Sequence, residues 1–122
     1  MAESCIFCRI VKGEIPSKKV YEDEWVLGVE DVNPAAPVHY LFLPKKHLRS
    51  LNELALHQES SDGELLIAKL FSAISKVTHK NNTIDPGYKV AINTGAKGGQ
   101  SVFHLHIHLL AGKDFNSHFS HV

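Results

Sequence analysis

Gln100-Ser101-Val102-Phe103-His104-Leu105-His106-Ile107-His108-Leu109-Leu110 is the stretch on which the fold turns. Three histidines alternate here with apolar residues. A period of two belongs to a β-strand with two unlike faces. Val102, His104, His106, His108 and Leu110 fall on one face; Phe103, Leu105, Ile107 and Leu109 fall on the other. The second face reads as core. The first lines up three imidazoles, with Cα atoms about 6.5–7 Å apart, where helical spacing would scatter them round the axis. A solvated strand face needs only polar residues, and Thr, Lys or Glu would serve. Three imidazoles therefore point to chemistry: a metal site, since neutral imidazole is a common ligand, or a nucleophile or acid–base cluster.

Upstream, Tyr88-Lys89-Val90-Ala91-Ile92-Asn93 reads as another strand, and the simplest pairing of the two is a hairpin. The Gly-rich loop from Thr94 to Gln100 then lies at one end of the histidine row. Its glycines permit tight turning and offer backbone N–H groups to an anion. Asn93 and Ser101 bracket it with neutral donors, suited to a phosphoryl oxygen or a leaving group, or to capping a turn.

The remaining elements follow from periodicity. Cys5 to Val11 reads as a short helix with Ile6, Phe7, Ile10 and Val11 apolar, ended by Gly13 and Pro16. Val20-Tyr21-Glu22 and Trp25 to Glu30 form a hairpin about Asp23-Glu24, and His39 to Leu43 is a β-prone run stopped by Pro44. Leu48 to Leu56 holds a helical turn. Ser61-Asp62-Gly63-Glu64 has a capping-box pattern, and a long helix runs from it to about Thr78. Leu66, Leu70, Ile74 and Val77 form its buried stripe, with Leu65 and Ala73 beside them. About five strands and one long helix make an α+β fold with a mostly antiparallel sheet.

The 122 residues suit one domain, with about 113–122 as a C-terminal tail. Thirteen basic and thirteen acidic residues cancel, which argues against a nucleic-acid polymer as partner but not against a small nucleotide. The apolar runs are too short to span a membrane, and the N-terminus carries no signal core, so a cytoplasmic protein is expected. In that compartment the two cysteines, Cys5 and Cys8, are a poor structural disulfide. A redox pair, buried thiols and half of a zinc site remain open, and zinc needs two further ligands.

His104-Leu105-His106-Ile107-His108 followed by Leu109-Leu110 resembles the signature of the histidine triad family. Gly99-Gln100-Ser101-Val102-Phe103, Pro44-Lys45-Lys46-His47, Ala36-Pro37-Val38-His39, Glu30-Asp31 and Cys5-Ile6-Phe7-Cys8-Arg9-Ile10 extend the likeness over residues 5 to about 112. Within the family the chain looks like the Hint branch, the histidine triad nucleotide-binding proteins, in a bacterial-type form that keeps C-x-x-C.

The resemblance implies a five-stranded sheet with one long and one short helix, in a homodimer whose sheets join into one. It implies binding of AMP- or GMP-like purine nucleotides and hydrolysis of nucleoside phosphoramidates through a nucleotidyl-histidine, the adenosine monophosphoramidase type of activity. His106 would be the nucleophile, His108 a phosphate contact and His39 a support for the cluster. Asn93, Gly99, Gln100 and Ser101 would hold the phosphate and leaving group, and Asp31 the ribose hydroxyls. Ile6, Phe7, Ile10, Val29 and Val32 would form the base pocket. Cys5, Cys8, His47 and His104 match the ligands of zinc-bearing relatives. Hint-branch chains often end in a tryptophan-containing tail, whereas the only tryptophan here is Trp25, so a tail contribution to substrate preference does not carry over. The competing functions are a dinucleoside polyphosphate hydrolase, a hydrolase whose triad binds a catalytic metal, and a non-catalytic nucleotide-binding regulatory module.

Overall fold

The computed structural model describes residues 4–56 and 62–116. Ser61 of the capping pattern and His118 and His121 of the tail lie outside the described residues. Helix α1 (Ile6–Val11) is followed by strands β1 (Lys19–Glu22), β2 (Val26–Glu30) and β3 (Val38–Pro44). Helices α2 (Asn52–Leu56) and α3 (Asp62–Lys80) come next, then β4 (Tyr88–Ala91) and β5 (Ile107–Ala111). The strands form one sheet in the order β1-β2-β3-β5-β4, and every described pairing is antiparallel. The α+β expectation with a five-stranded antiparallel sheet holds.

Alternation sorts the central strands into two faces. On one, Val26, Phe42, Ile107 and Leu109 pack against Leu66, Leu70, Ala73, Ile74 and Val77 of α3. Leu65 is half-exposed and lies off that stripe. On the other, Leu27, Val29, Leu41 and Leu43 pack against Phe7 of α1. Gly28 lies opposite Phe42, and a Cβ there would come within 2.9 Å of the Phe42 ring, so the aromatic needs the glycine. Asp23 ties the first hairpin: its carboxylate accepts from the Trp25 and Val26 amides at 2.7 and 2.8 Å and from Tyr21 Oη at 2.6 Å.

The histidine stretch departs from the expected strand. The ladder begins only at Ile107, paired with Phe42, and residues 100–106 run outside the sheet. Three hydrogen bonds to the end of β3 and the turn after it hold them: Leu105 N–H to Leu48 O at 2.6 Å, His104 Nε2–H to Pro44 O at 2.8 Å, and Gln100 Nε2–H to Arg49 O at 2.7 Å. Phe103 is correspondingly no core residue; it is 38% exposed, with the Arg49 guanidinium 5.1 Å from its ring centroid. The β4–β5 hairpin exists, but Ile92 and Asn93 lie beyond β4 and the connection runs from 92 to 106. Alternation nevertheless survives in burial, since Leu105, Ile107 and Leu109 stay in the α3-side core.

Candidate active site and metal centre

His39 and His108 meet through strand register. His39 lies opposite Leu110 and Leu41 opposite His108, so the two histidines are diagonal neighbours on one face. Their nitrogens, His39 Nε2 and His108 Nδ1, are 2.9 Å apart. His106 stands beside them, its ring centroid 5.0 Å from that of His108 and 5.0 Å from Phe7, edge-on to the latter at 89°. His39 and His106 are buried at 8% and 7% exposure.

Backbone groups fix how each ring carries its proton, because an amide only donates and a carbonyl only accepts. The Ala35 N–H donates to His39 Nδ1 at 3.0 Å, so the neutral ring bears its proton on Nε2. That proton points to His108 Nδ1, which leaves His108 with an Nε2–H. His106 Nδ1 donates to the His104 carbonyl at 2.8 Å, which leaves the Nε2 lone pair free. The cluster thus presents one nucleophilic nitrogen and, on the next ring, one donor. Burial, with His106 and His39 nearby, holds His108 down at about 4, and burial also lowers His106. Neutral imidazoles, as nucleophilic nitrogen requires, follow at neutral pH.

Asp31 Oδ2 lies 3.4 Å from His39 Nε2, while Oδ1 accepts from the Asn33 amide at 2.8 Å. Asp31, His39 and His108 are close enough together to suggest a metal set. The tautomers oppose it: His39 would have to ligate through Nε2 and carry its proton on Nδ1, facing the Ala35 N–H.

A second cluster fits a metal well. One donor atom from each of Cys5, Cys8, His47 and His104 lies within 4.8 Å of all the others. Cys8 Sγ is 3.2 Å from His47 Nδ1, Cys5 Sγ is 3.4 Å from His104 Nδ1, and the two Nδ1 atoms are 3.1 Å apart. His104 Nε2–H is committed to Pro44 O, so its Nδ1 lone pair faces the cluster. Cys5 caps α1, its sulfur accepting from the Cys8 amide at 3.4 Å. Burial, reinforced by Cys5, pushes the Cys8 thiol up to about 11, and burial, with the nearby His47 and His106, holds His104 down at about 4. Two sulfurs and two imidazoles are a donor set for zinc in a closed tetrahedral site.

The remaining expected residues divide. Ser101 is exposed and lines a hollow with Ile6, His47, Arg49 and Phe103. Asn93 Nδ2 donates to Gly99 O at 3.3 Å, and a Cβ on Gly99 would come within 3.0 Å of that nitrogen, at a φ of 91° that itself favours glycine. The carboxamide and amide of Gln100 bond to Gly95, Arg49 and Val102 and so shape the loop. Among the expected base-pocket residues, Phe7 and Val29 belong to the core, Ile10 packs on its edge, and Ile6 and Val32 expose apolar surface at 47% and 89%. Sequence reasoning missed Ala35, Pro44 and Leu48, which act through backbone atoms and leave no signature in residue type.

Residues 4–121 match the family model described as "Scavenger mRNA decapping enzyme C-term binding". Protein HitA of Neisseria gonorrhoeae is 42% identical over 88% of this chain and 95% of its own. The purine nucleoside phosphoramidase of Escherichia coli (strain K12) is 33% identical over 99% and 98%. Among solved structures, a histidine triad protein from Clostridium difficile superposes with a TM-score of 0.83 at 43% identity, covering 91% of this chain and 92% of that one. A HIT family hydrolase from Clostridium thermocellum gives 0.85 at 41%, covering 93% and 94%.

Proposed function

The chain belongs to the histidine triad family, and from that premise we propose that it hydrolyses purine nucleoside phosphoramidates through a nucleotidyl-histidine. The observation that carries this reading is the tautomer pattern: a lone pair on His106 Nε2, made available by the His104 carbonyl, next to the Nε2–H of His108. A relative 33% identical over nearly the full length of both chains bears the name purine nucleoside phosphoramidase.

In the first step His106 Nε2 forms a bond to the α-phosphorus as the P–N bond to the amine breaks. In-line approach needs about 3–3.5 Å between the reacting atoms. His108 Nε2–H and the loop amides stabilise the phosphoryl oxygens. The departing nitrogen takes a proton from the Ser101 hydroxyl, resupplied by solvent, and leaves as a neutral amine. In the second step water attacks the same phosphorus, the P–Nε2 bond breaks, and the nucleoside monophosphate is released with His106 restored. Asp31 accepts from the ribose hydroxyls, and the exposed side chains of Ile6 and Val32 cover the base together with Phe7. Asn93 and Gly99 shape the phosphate loop.

Cys5, Cys8, His47 and His104 would hold zinc, which serves structure by tying α1 to the segments bearing the two histidines. Cytoplasmic residence would keep both thiols reduced for that purpose. Two chains would pair into a homodimer. No helix among the described residues is long and apolar enough to cross a membrane.

The test is a rapid quench of the protein with an adenosine phosphoramidate, followed by mass analysis of its peptides. The expected adduct is one AMP on His106, absent in His106→Ala. Full turnover by His106→Ala, tracking added metal instead, would replace this mechanism with metal-dependent hydrolysis.

A further inference from the structure

We propose that the Cys5–Cys8–His47–His104 cluster, when it holds a soft divalent cation such as zinc, is the positioning device for His106. This rests on the zinc reading above and extends it from a staple of the fold to a determinant of nucleophile geometry.

Three contacts surround the His106 ring; one is the His108 ring, 5.0 Å away on β5, and the other two originate at a residue of the cluster or beside one. The His104 carbonyl receives the ring's Nδ1–H at 2.8 Å, and the Nδ1 of His104 itself lies in the cluster. Phe7 packs edge-on against the ring at 5.0 Å, and Phe7 lies between Cys5 and Cys8 on a helix of six residues. Movement of α1 or of His104 therefore reaches the nucleophile directly.

The sheet provides only the His108 part of this positioning. His106 precedes the first laddered residue, Ile107, and the segment that carries it is docked on residues 44–49. His47 belongs to that turn and His104 to that segment. Their Nδ1 atoms are 3.1 Å apart, with Cys8 Sγ 3.2 Å from the first and Cys5 Sγ 3.4 Å from the second, so thiols and imidazoles meet there in one weak contact. Each imidazole bound to a cation would convert that weak contact into a cross-link between the turn and the segment. The two cysteines would add α1 to the same link. His104 is thus a positioning residue: it acts on the reaction through its main-chain oxygen.

Sheet and segment should respond differently to loss of the cation. The central strands keep their ladders and both cores. The segment and α1 keep the burial of Leu105 and Phe7 and scattered hydrogen bonds but no ladder, the kind of region that opens locally before the sheet does.

The experiment compares protein as purified, protein stripped with a chelator, and stripped protein reloaded with zinc. Metal content, amide hydrogen exchange and the imidazole proton signals are read on each. In the loaded protein the His106 Nδ1–H signal should be sharp and the Leu105 amide protected. Stripping should broaden the former and speed exchange at Leu105 by about tenfold or more, while amides of β2 and β3 hold their rates. Reloading should restore both, and Cys5→Ser should reproduce the stripped state. Zinc bound with no change at His106 or Leu105 on its removal overturns the coupling alone. Equal loosening of β2 and β3, or unfolding, also overturns it, because the cation would then hold the whole fold. No zinc uptake at all overturns both this proposal and the zinc reading. None of these readouts depends on phosphoramidate turnover, so a failure of the proposed reaction would show separately.

Discussion

His39, His104 and His106 are each specified twice, once by the side chain and once by a backbone group that sets its proton, and His108 takes its tautomer from His39. The side chains were legible in the sequence, because three imidazoles at alternate positions have no ordinary structural use. The backbone partners were not, since every residue offers a carbonyl and nearly every residue an amide, and only the folded chain selects Ala35, Pro44 and the His104 carbonyl. From this follows an ordering of mutational costs. His106→Ala removes the bond-forming nitrogen and should reduce kcat by several orders of magnitude while AMP still binds, as titration calorimetry would show. Ser101→Ala removes a single supporting group and should cost at most about 10²–10³. A pH prediction follows from His108. Its folded pKa of about 4 lies below the 6.5 of an ordinary histidine. Between these values the unfolded chain binds more protons than the folded one. The stability it contributes is therefore complete above pH 6.5 and is lost as pH falls through 4. Melting temperatures measured across that window should fall with acidity, and less steeply in His108→Gln. An equal slope in the two proteins would show that His108 is not among the groups responsible. His104, lowered in the same way, adds to the slope in metal-free protein only, so both should be measured loaded with zinc.

At the scale of elements, the sequence was readable wherever a repeat of apolar residues served one purpose. The α3 stripe of Leu66, Leu70, Ile74 and Val77 is buried as its spacing demands. Leu70→Ala, at a position with 0% exposure, should cost about 2–5 kcal/mol in chemical denaturation. The hairpin of β1 and β2 was equally plain, and its turn has a definite chemical basis in Asp23. Removing a carboxylate that accepts from two amides and a phenol should destabilise by about 1–2 kcal/mol, so Asp23→Ala tests it by the same method. The histidine stretch shows where such reading stops. Its alternation is continuous from residue 102 to 110, yet the ladder starts at 107. Burial follows the alternating pattern because Leu105 still faces α3. Hydrogen bonding does not, because Leu105 N–H finds Leu48 O rather than a strand partner. Side-chain periodicity reports which way residues face. It carries no information on where the amides go, and here a tertiary partner took them.

Among the described residues, α3 covers one face of the sheet and α1 part of the other, and the edge strands β1 and β4 each pair on one side. They are unlike. β1 carries Lys19 and Glu22, paired with each other at 2.9 Å, with Lys45 also reaching Glu22 at 2.9 Å, and its register shifts between Lys19 and Tyr21. Charge and irregularity of this kind discourage further pairing. β4 is short and regular, with Tyr88 40% exposed at its start, and its register with β5 is unbroken from Tyr88 to Ala91. It is the edge better suited to receive a strand. A second copy offering its own β4 antiparallel would meet the same surface about a two-fold axis, the self-complementary arrangement that closes at two subunits. The two sheets would then run on as one, as the family resemblance implies. Light scattering at micromolar concentration should accordingly give twice the mass of a single chain. With β4 fully paired, Tyr88 would face Ala91 of the second copy, so Tyr88→Glu puts a charge at each end of the new seam and should raise the dimer dissociation constant, since a charged edge discourages pairing. The circular dichroism of the variant should be unaltered, because the side chain lies outside both cores. A single-chain mass for the unaltered protein would rule the dimer out. A dimer insensitive to Tyr88→Glu but weakened by a charge on β1 would move the interface to the opposite edge of the sheet.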